Sequence, residues 1–275
     1  MDWGDTGRRL ASAREHYRRC LLCEHRCGVD RTAGAAGKCK AGATARVFRH
    51  RVEYGDERAI APSHLFYLSG CDLRCAFCIN ELNAFDPRRG EDLTPEFFRE
   101  AVAAQSHLAP RTLQWVGGEP TIHLPAVLEA MADCPDLPRV VWKTDLHGTP
   151  EAYDLLAGVV DLYLADFKFG NDACARDVAG VERYTAILTR NLTLVAGRAD
   201  LIVRHLLLPG HLDCCFRPIV EWVSAHLRGA AFSLREGYLP HWQARHHPGL
   251  GRPLAVREIE TARRVARDAG LNLVS

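Results

Sequence analysis

The stretch "HLFYLSGCDLRCAFC" at residues 64–78 joins an apolar run to three closely spaced cysteines. Residues 64–70 have the length and composition of a buried β-strand, which Gly70 ends. Cys71, Cys75 and Cys78 follow with the spacing C-x3-C-x2-C. The sequence therefore predicts a strand that carries three thiols in the loop at its carboxyl end.

Five similar runs alternate with helical segments through the rest of the chain. The runs lie at 111–118, 139–145, 160–169, 201–210 and 230–238, and the helical segments at 94–107, 124–133, 150–158, 181–195, 216–227 and 255–269. This alternation predicts an α/β fold with a parallel sheet. Six units are too few for a closed eight-stranded barrel, so we predict a partial (β/α)6 barrel over residues 61–275, with a doubly wound sheet as the alternative. In both folds the active site lies at the carboxyl ends of the strands.

Residues 1–60 are predicted to form a separate, small cysteine-rich N-terminal module. Its regular elements are a short basic helix near residues 8–19 and a strand at 45–55. Its four cysteines form the pattern C-x2-C-x3-C-x11-C and are Cys20, Cys23, Cys27 and Cys39. Four thiolates are a complete ligand set, so zinc and an auxiliary Fe–S cluster are both open, with His25 able to replace one cysteine in either.

Composition limits the classes of function that the chain can have. The 275 residues carry a formal net charge of +1, which argues against bulk attraction to nucleic acid or to an anionic membrane. No signal peptide and no long apolar run is recognisable, so we expect a cytoplasmic protein. In that reducing compartment the eleven cysteines should be metal ligands or free thiols rather than disulfides.

Three thiolates without a fourth ligand suggest a cluster with one open coordination site. A structural zinc site closes its coordination with four protein ligands, whereas a cubane held by three cysteines leaves one iron free for a substrate or cofactor. The alternatives are a zinc site completed by His64 or His123, or three unrelated thiols.

The motif "GCDLRCAFC" resembles the signature of the radical S-adenosylmethionine (SAM) superfamily, including the aromatic Phe77 before the last cysteine. The resemblance implies that Cys71, Cys75 and Cys78 hold a [4Fe–4S] cluster whose open iron binds SAM. Reductive cleavage of SAM then yields a 5′-deoxyadenosyl radical that abstracts hydrogen from the substrate. It also implies that the motif after the second strand receives the methionine amino group of SAM. That motif is Gly117, Gly118, Glu119 and Pro120.

Further stretches resemble relatives of the pyruvate formate-lyase activating enzyme. "YLADFKF" offers Asp166 and Lys168 on one face of a strand, and "IVRHLLLPG" offers Arg204 or His205 toward SAM or substrate. The stretch "WKTD" places Lys143 where these relatives often have asparagine. The candidate catalytic groups are Lys143, Asp145, Asp166, Lys168, Cys214 and Cys215. For the four charged residues, the alternative is a purely structural role at the end of a strand.

The resemblance implies an electron donor such as flavodoxin or ferredoxin and a protein substrate in which a glycine is activated. Two alternatives stay open: radical modification of a small molecule or peptide, and a non-catalytic metal-binding scaffold. Cys214 and Cys215 follow the fifth strand. They could ligate a further cluster with Cys174 or donate a hydrogen atom, and the simpler alternative is one buried and one exposed thiol.

Overall fold

The β-strands of the protein form one sheet in the computed structural model, which describes residues 2–55, 57–134 and 136–274. Within these residues the strands are β1 Arg46–Glu53, β2 Ser63–Leu68, β3 Glu91–Asp92, β4 Thr112–Gly117, β5 Arg139–Thr144, β6 Leu162–Asp166, β7 Asp200–Leu206, β8 Ala231–Arg235 and β9 Asn272–Val274. Their order across the sheet is β3-β1-β2-β4-β5-β6-β7-β8-β9.

The strands from β2 through β9 in this order are parallel, and β1 and β3 add an antiparallel edge. The sheet ends at β3 and β9 and is not closed. The six predicted strands are β2, β4, β5, β6, β7 and β8, so the prediction of an open α/β fold with six β/α units is confirmed. Strand β9 extends the parallel sheet by one strand that the sequence pattern did not indicate.

Helices connect successive parallel strands. The described α-helices are α1 Thr6–Arg18, α2 Glu81–Ala84, α3 Pro95–Gln105, α4 Leu124–Ala132, α5 Pro150–Leu156, α6 Asp172–Ala179, α7 Tyr184–Ala196, α8 Arg217–His226 and α9 Val256–Asp268. Thr94 and Thr149 are N-caps, since their side chains accept hydrogen bonds from the N–H groups of Phe97 and Ala152. The six helices predicted between and after the strands are present, and so is the basic N-terminal helix, as α1. The sequence analysis missed α2 and α6.

Side chains on alternate positions of the strands form two different cores. Between the sheet and the helices lies the larger one, which includes the buried indoles of Trp115 and Trp142. The opposite face carries a smaller cluster, to which Leu162 and Leu164 of β6 belong. Because strand side chains alternate, Asp166 lies on the same face as Leu162 and Leu164, at the carboxyl end of β6.

The N-terminal residues are joined to the sheet and to the helix layer. Strand β1 is hydrogen-bonded along β2. Helix α1 is attached through Arg14, whose Nε donates to Glu129 at 2.7 Å, and Arg9, whose Nη1 donates to the carbonyl of Ala157 at 2.7 Å. A domain boundary at residue 60 stays a prediction. Among the described helices, none combines the length and the apolar character needed to cross a membrane.

Candidate active site

The three-cysteine loop lies at the carboxyl edge of the sheet. Cys71, Cys75 and Cys78 follow β2 directly, with Cys75 buried and the other two half-buried. Gly70 makes the turn into the loop with a positive φ of 91°. The thiols therefore stand where parallel α/β folds place their chemistry.

Helix α6 fastens the middle of this loop. The N–H of Arg74 donates to the carbonyl of Ala179 at 3.2 Å, and the N–H of Ala76 donates to the carbonyl of Val178 at 2.7 Å. Both acceptors are in the last turn of α6, whose carbonyl groups have no partner within the helix. The N–H groups of the loop thus satisfy carbonyl groups at the end of α6, and the same hydrogen bonds hold the loop against the helix.

Phe77 anchors the loop to the protein interior. Its buried ring lies 6.3 Å from that of Phe169 and 6.2 Å from that of Tyr238, both at steep interplanar angles. Edge-to-face packing of this kind is favourable for aromatic rings. The aromatic position between the second and third cysteines therefore holds the loop backbone in place.

The environment of the thiols suits metal ligation. Burial raises the pKa of Cys75 to about 12, although the positive charge of Lys168 acts in the opposite direction. Burial also raises the pKa of Cys71 and of Cys78. Free thiols in this place stay protonated at neutral pH, and a bound metal would displace their protons and supply the missing counter-charge.

The two histidines proposed as alternative ligands are engaged elsewhere. His64 lies 3.3 Å from the ring nitrogen of His50, and the Nε2 of His123 lies 2.6 Å from the carbonyl oxygen of Ser69. In the part of the chain that the structure describes, neither histidine belongs to a group of close ligand atoms with the loop cysteines. The geometry does not support a zinc site completed by these histidines.

Asp72, between the first two cysteines, is held by a histidine pair. The Nδ1–H of His147 donates to the Asp72 carboxylate at 2.8 Å, and the Nε2 of His25 lies 3.0 Å from its carbonyl oxygen. Burial alone would raise the pKa of Asp72, but the hydrogen bond from His147 and the charges of both histidines outweigh it and lower the pKa. His25 therefore connects the N-terminal region to the loop.

The Glu119 carboxylate is fully engaged inside the protein. It accepts from the N–H of Thr121 at 3.0 Å, the hydroxyl of Thr144 at 2.9 Å and the N–H of Asp145 at 2.8 Å. Burial, with a further contribution from Asp72, raises the pKa of Glu119 to about 7. The side chain therefore ties the end of β4 to the end of β5.

The two glycines before Glu119 permit contact between strands. A Cβ on Gly118 would lie 1.7 Å from the carbonyl oxygen of Gly70, and one on Gly117 would lie 2.2 Å from that of Leu68. The N–H of Gly118 donates to Leu68 at 2.8 Å. The absence of side chains on both glycines thus lets β4 approach β2 closely. Pro120 is buried and begins the turn into α4. SAM binding by this motif stays a prediction.

Of the two candidates in "WKTD", Asp145 lies beside the three-cysteine loop. Its Oδ2 lies 4.0 Å from the Sγ of Cys71, and its Oδ1 accepts from the N–H of His147 at 3.0 Å. Burial and the negative charges of nearby carboxylates raise the pKa of Asp145 well above its usual value. Lys143 lies on β5, two residues before Asp145, and its side chain is half-buried. In the strand register it is paired with Leu164 of β6.

Asp166 and Lys168 form one charge network with Arg204. Both cations contact the carboxylate, Lys168 Nζ at 2.5 Å and Arg204 Nε at 2.5 Å. His205 points the other way, as strand alternation requires, and its Nδ1 lies 2.7 Å from the carbonyl of Phe167. Burial lowers the pKa of His205 to about 4. The structure therefore brings Arg204, and not His205, to the candidate site.

Two of the N-terminal cysteines surround a buried arginine. The Nη2 of Arg31 lies 2.9 Å from the Sγ of Cys20 and 3.7 Å from that of Cys39, and its Nη1 donates to the carbonyl of Ile122 at 2.7 Å. This guanidinium is a charged donor beside two cysteine sulfurs, and the sequence analysis did not identify it.

The other two N-terminal cysteines differ in burial. Cys23 is buried and pairs through its backbone with Gly148, after β5. Cys27 is exposed, and its Sγ accepts from the N–H of Lys38 at 3.4 Å. Metal binding by these four cysteines stays a prediction, and the structure does not separate zinc from an Fe–S cluster.

Cys174, Cys214 and Cys215 come together with His211, which the sequence analysis overlooked. The spacing H-x2-C-C at 211–215 was the signal that could have found it. Asp72 and His147 were also overlooked, although each lies within two residues of a predicted site residue.

Comparison with known proteins agrees with the site. The radical SAM superfamily profile matches residues 65–223. The match covers more than half of the chain, and the chain therefore belongs to the radical SAM superfamily. The cofactors of this superfamily are a [4Fe–4S] cluster and SAM, as predicted, and the buried three-cysteine loop fits the cluster.

The relatives extend the likeness to nearly the whole chain. An uncharacterized protein of Methanocaldococcus jannaschii is 34% identical over 268 residues, which are 95% of this chain and 78% of that protein. SuiB of Streptococcus suis bound to its precursor peptide SuiA aligns with a TM-score of 0.53 and 14% identity over 74% of this chain and 46% of SuiB. SuiB bound to S-adenosylmethionine gives 0.51 and 16% over 74% and 47%. The chain spans about half the length of SuiB, and at these identities the likeness concerns the fold.

Proposed function

We propose that the protein is an enzyme that cleaves SAM reductively at a cluster held by Cys71, Cys75 and Cys78 and abstracts a hydrogen atom from a polypeptide substrate. The observation that carries the proposal is the position of the three thiols. They stand at the carboxyl edge of the sheet, beside the backbone of Gly117 and Gly118.

The residues of the site would have the following roles. When bound, the cluster and SAM supply the electron and the 5′-deoxyadenosyl radical. Phe77 and the end of α6 hold the loop, and Lys168 places a positive charge near Cys75. The backbone of Gly117 and Gly118, at the carboxyl end of β4, would receive the methionine amino group.

The ion-pair network of Asp166, Lys168 and Arg204 would hold SAM or the substrate in position at the carboxyl end of β6 and β7. Lys168 and Arg204 are each about one-fifth exposed, so they face the open side of the sheet without being free in solvent. Their contacts with one carboxylate fix both cations in place. We assign the three residues a positioning role toward SAM or the substrate, not a role in proton transfer.

Exposed apolar side chains beside the loop favour a macromolecular partner. Ile79 directly follows the third cysteine and is 73% exposed, and Leu82 nearby is 62% exposed. Large exposed apolar side chains next to a reactive site are common at protein interfaces. The resemblance of the "YLADFKF" stretch to activating enzymes and the likeness in fold to peptide-bound SuiB also support a polypeptide, with a glycine as the hydrogen donor.

We also propose that a flavodoxin or ferredoxin supplies the electron and that the protein works in the cytoplasm. A reducing compartment keeps the eleven cysteines available as ligands. The same exposed side chains, Ile79 and Leu82, would offer a docking surface within a short distance of the cluster.

The proposed chemistry is tested by SAM turnover. Anaerobically reconstituted wild-type protein should release 5′-deoxyadenosine with dithionite as the reductant, and Cys75→Ala should release none. Cys134→Ala is the matched control, since Cys134 lies far from the loop in sequence and in no predicted ligand set. Turnover by Cys75→Ala at the wild-type rate would contradict the proposal.

The class of substrate needs a second experiment. Cells of the source organism are grown on deuterated medium, and their lysate is separated into a protein fraction and a small-molecule filtrate. The proposal expects deuterium in 5′-deoxyadenosine only with the protein fraction. Transfer only from the filtrate would replace the polypeptide with a small molecule and leave the radical chemistry standing.

A further inference from the structure

Four metal-ligating side chains converge at the carboxyl ends of β6 and β7. Cys174 lies in the first turn of α6, and His211, Cys214 and Cys215 lie in the loop after β7. One ligand atom from each residue lies within 4.8 Å of all the others. We refer to these four residues as the Cys3His group.

The separations in the Cys3His group are those of ligands around a single tetrahedral ion. Bonds of about 2.3 Å to sulfur and about 2.0 Å to nitrogen separate two sulfurs by roughly 3.8 Å and a sulfur from a nitrogen by roughly 3.5 Å. In the structure, Cys214 Sγ lies 3.8 Å from Cys174 Sγ and 3.9 Å from Cys215 Sγ. The Nδ1 of His211 lies 3.3 Å from Cys214 Sγ and 3.7 Å from Cys215 Sγ.

An unusual turn allows neighbouring cysteines to share one ion. Leu212–Phe216 is a π-helical turn, in which the N–H of Phe216 donates to the carbonyl of His211 at 3.1 Å. Such turns are rare and occur frequently at functional sites. The turn brings Cys214 and Cys215 onto the same side as His211, so both thiols can reach one ion.

Asn171 supports the Cys3His group from outside. Its Oδ1 accepts from the N–H of Cys174 at 2.8 Å as the N-cap of α6, and its Nδ2 lies 3.2 Å from the Sγ of Cys174. The same Nδ2 donates to the carbonyl of Cys214 at 2.6 Å. A donor that faces a ligand sulfur and also joins two ligand segments is typical of the outer shell of metal sites.

We propose that Cys174, His211, Cys214 and Cys215 bind one structural zinc ion. Four protein ligands close the coordination shell, which is the pattern of structural zinc. An Fe–S cluster would spread its cysteine sulfurs around several irons, whereas these ligand atoms surround one point. Zinc binding releases the thiol protons to solvent and involves no change of oxidation state.

The zinc site is separate from the three-cysteine loop but mechanically connected to it. Helix α6 carries Cys174 near its start, and its last turn holds the loop through Val178 and Ala179. Eight residues of helix span about 12 Å. The ion therefore fixes the helix that positions the cysteine loop, without taking part in SAM cleavage.

The test is metal analysis of the full-length protein, purified anaerobically from cells supplied with iron and zinc. The variant Cys174→Ser with Cys214→Ser should contain about one zinc fewer per chain than the wild type, with iron unchanged. The matched control Cys134→Ser should keep the wild-type zinc content. Because the comparison is a difference, it holds whether or not the N-terminal cysteines also bind zinc.

A second measurement covers the case in which the double variant does not fold. His211→Asn removes one partly exposed ligand, and it should lower zinc affinity at least about tenfold in a competition with a chelator. Unchanged zinc content in the double variant, unchanged affinity in His211→Asn, loss of iron in place of zinc, or a disulfide between Cys174 and Cys214 would each overturn the proposal.

Discussion

Replacing Asp166 with asparagine tests the charge network at the floor of the site. The substitution keeps the size of the side chain but leaves Lys168 and Arg204 without the carboxylate that both contact at 2.5 Å. Burial alone would raise the pKa of Asp166, but the two cations outweigh it and lower the pKa. The carboxylate is therefore ionised at neutral pH, and the asparagine variant loses its whole contribution there.

The size of the effect follows from burial. Removing one partner of a buried ion pair costs about 3–5 kcal/mol. The three side chains are still 18–19% exposed. Solvent screening therefore reduces the expected loss in unfolding free energy to roughly 2–4 kcal/mol. Since the folded-state pKa is depressed, this contribution is complete above the ordinary value of about 3.9 and declines only as the pH falls below it.

Urea unfolding at neutral pH, followed by circular dichroism on anaerobically purified protein, measures this loss. Glu182→Gln is the matched control, because the Arg176–Glu182 pair has both side chains more than half exposed. The control should unfold at the wild-type midpoint. A loss below about 1 kcal/mol for Asp166→Asn, the value of a surface ion pair, would refute the argument that the network is buried.

Two further predictions concern positions away from the network. Gly118→Ala would place a Cβ 1.7 Å from the carbonyl oxygen of Gly70. We expect this overpacking to cost about 1–3 kcal/mol and to lower the urea midpoint of unfolding. An unchanged midpoint would show that β2 and β4 can separate freely. Glu258→Gln should destabilise the protein by roughly 1 kcal/mol at neutral pH, because this carboxylate accepts from Arg252 and from the N–H of Ala255, the N-cap of α9. The hydrogen bonds from Arg252 lower the pKa of Glu258 to about 2. The difference in melting temperature between wild type and variant should thus be full above about pH 4.3 and shrink as the pH falls from there toward 2, and a difference that grows on acidification would contradict it.

The repeating units were predictable because their signals are local. Buried strands such as 139–145 are short apolar runs. Helices α3 and α5 begin with an N-cap threonine followed by proline, Thr94-Pro95 and Thr149-Pro150. Strand β9 has only three residues, and it pairs with β8, from which α9 separates it in the chain. No local pattern of three residues can indicate such a strand.

The cysteine loop was predictable, but the partners of its neighbours were not. The spacing of Cys71, Cys75 and Cys78 is a property of consecutive residues. The engagement of Glu119 by Thr144 depends on β4 and β5 lying side by side, which sequence spacing does not reveal. The contact of Cys174 with Cys214 likewise needs β6 and β7 to be neighbours.

The distinction between Arg204 and His205 shows how far alternation alone can go. The pattern requires the two side chains to point to opposite faces, but it does not say which face carries the site. Asp166 decides the matter, because its carboxylate pairs with Arg204 across β6 and β7. The information that the sequence pattern lacked was that Asp166 and Arg204 lie opposite each other on adjacent strands.

The most direct test of the central claim is electron paramagnetic resonance of the reduced, anaerobically reconstituted protein with and without SAM. We predict the signal of a reduced [4Fe–4S] cluster that changes when SAM is added, and the loss of that signal when Cys71, Cys75 and Cys78 are all replaced by alanine. The absence of any cluster signal that responds to SAM in the wild type, or a SAM-responsive signal that persists in the triple variant, would contradict the account.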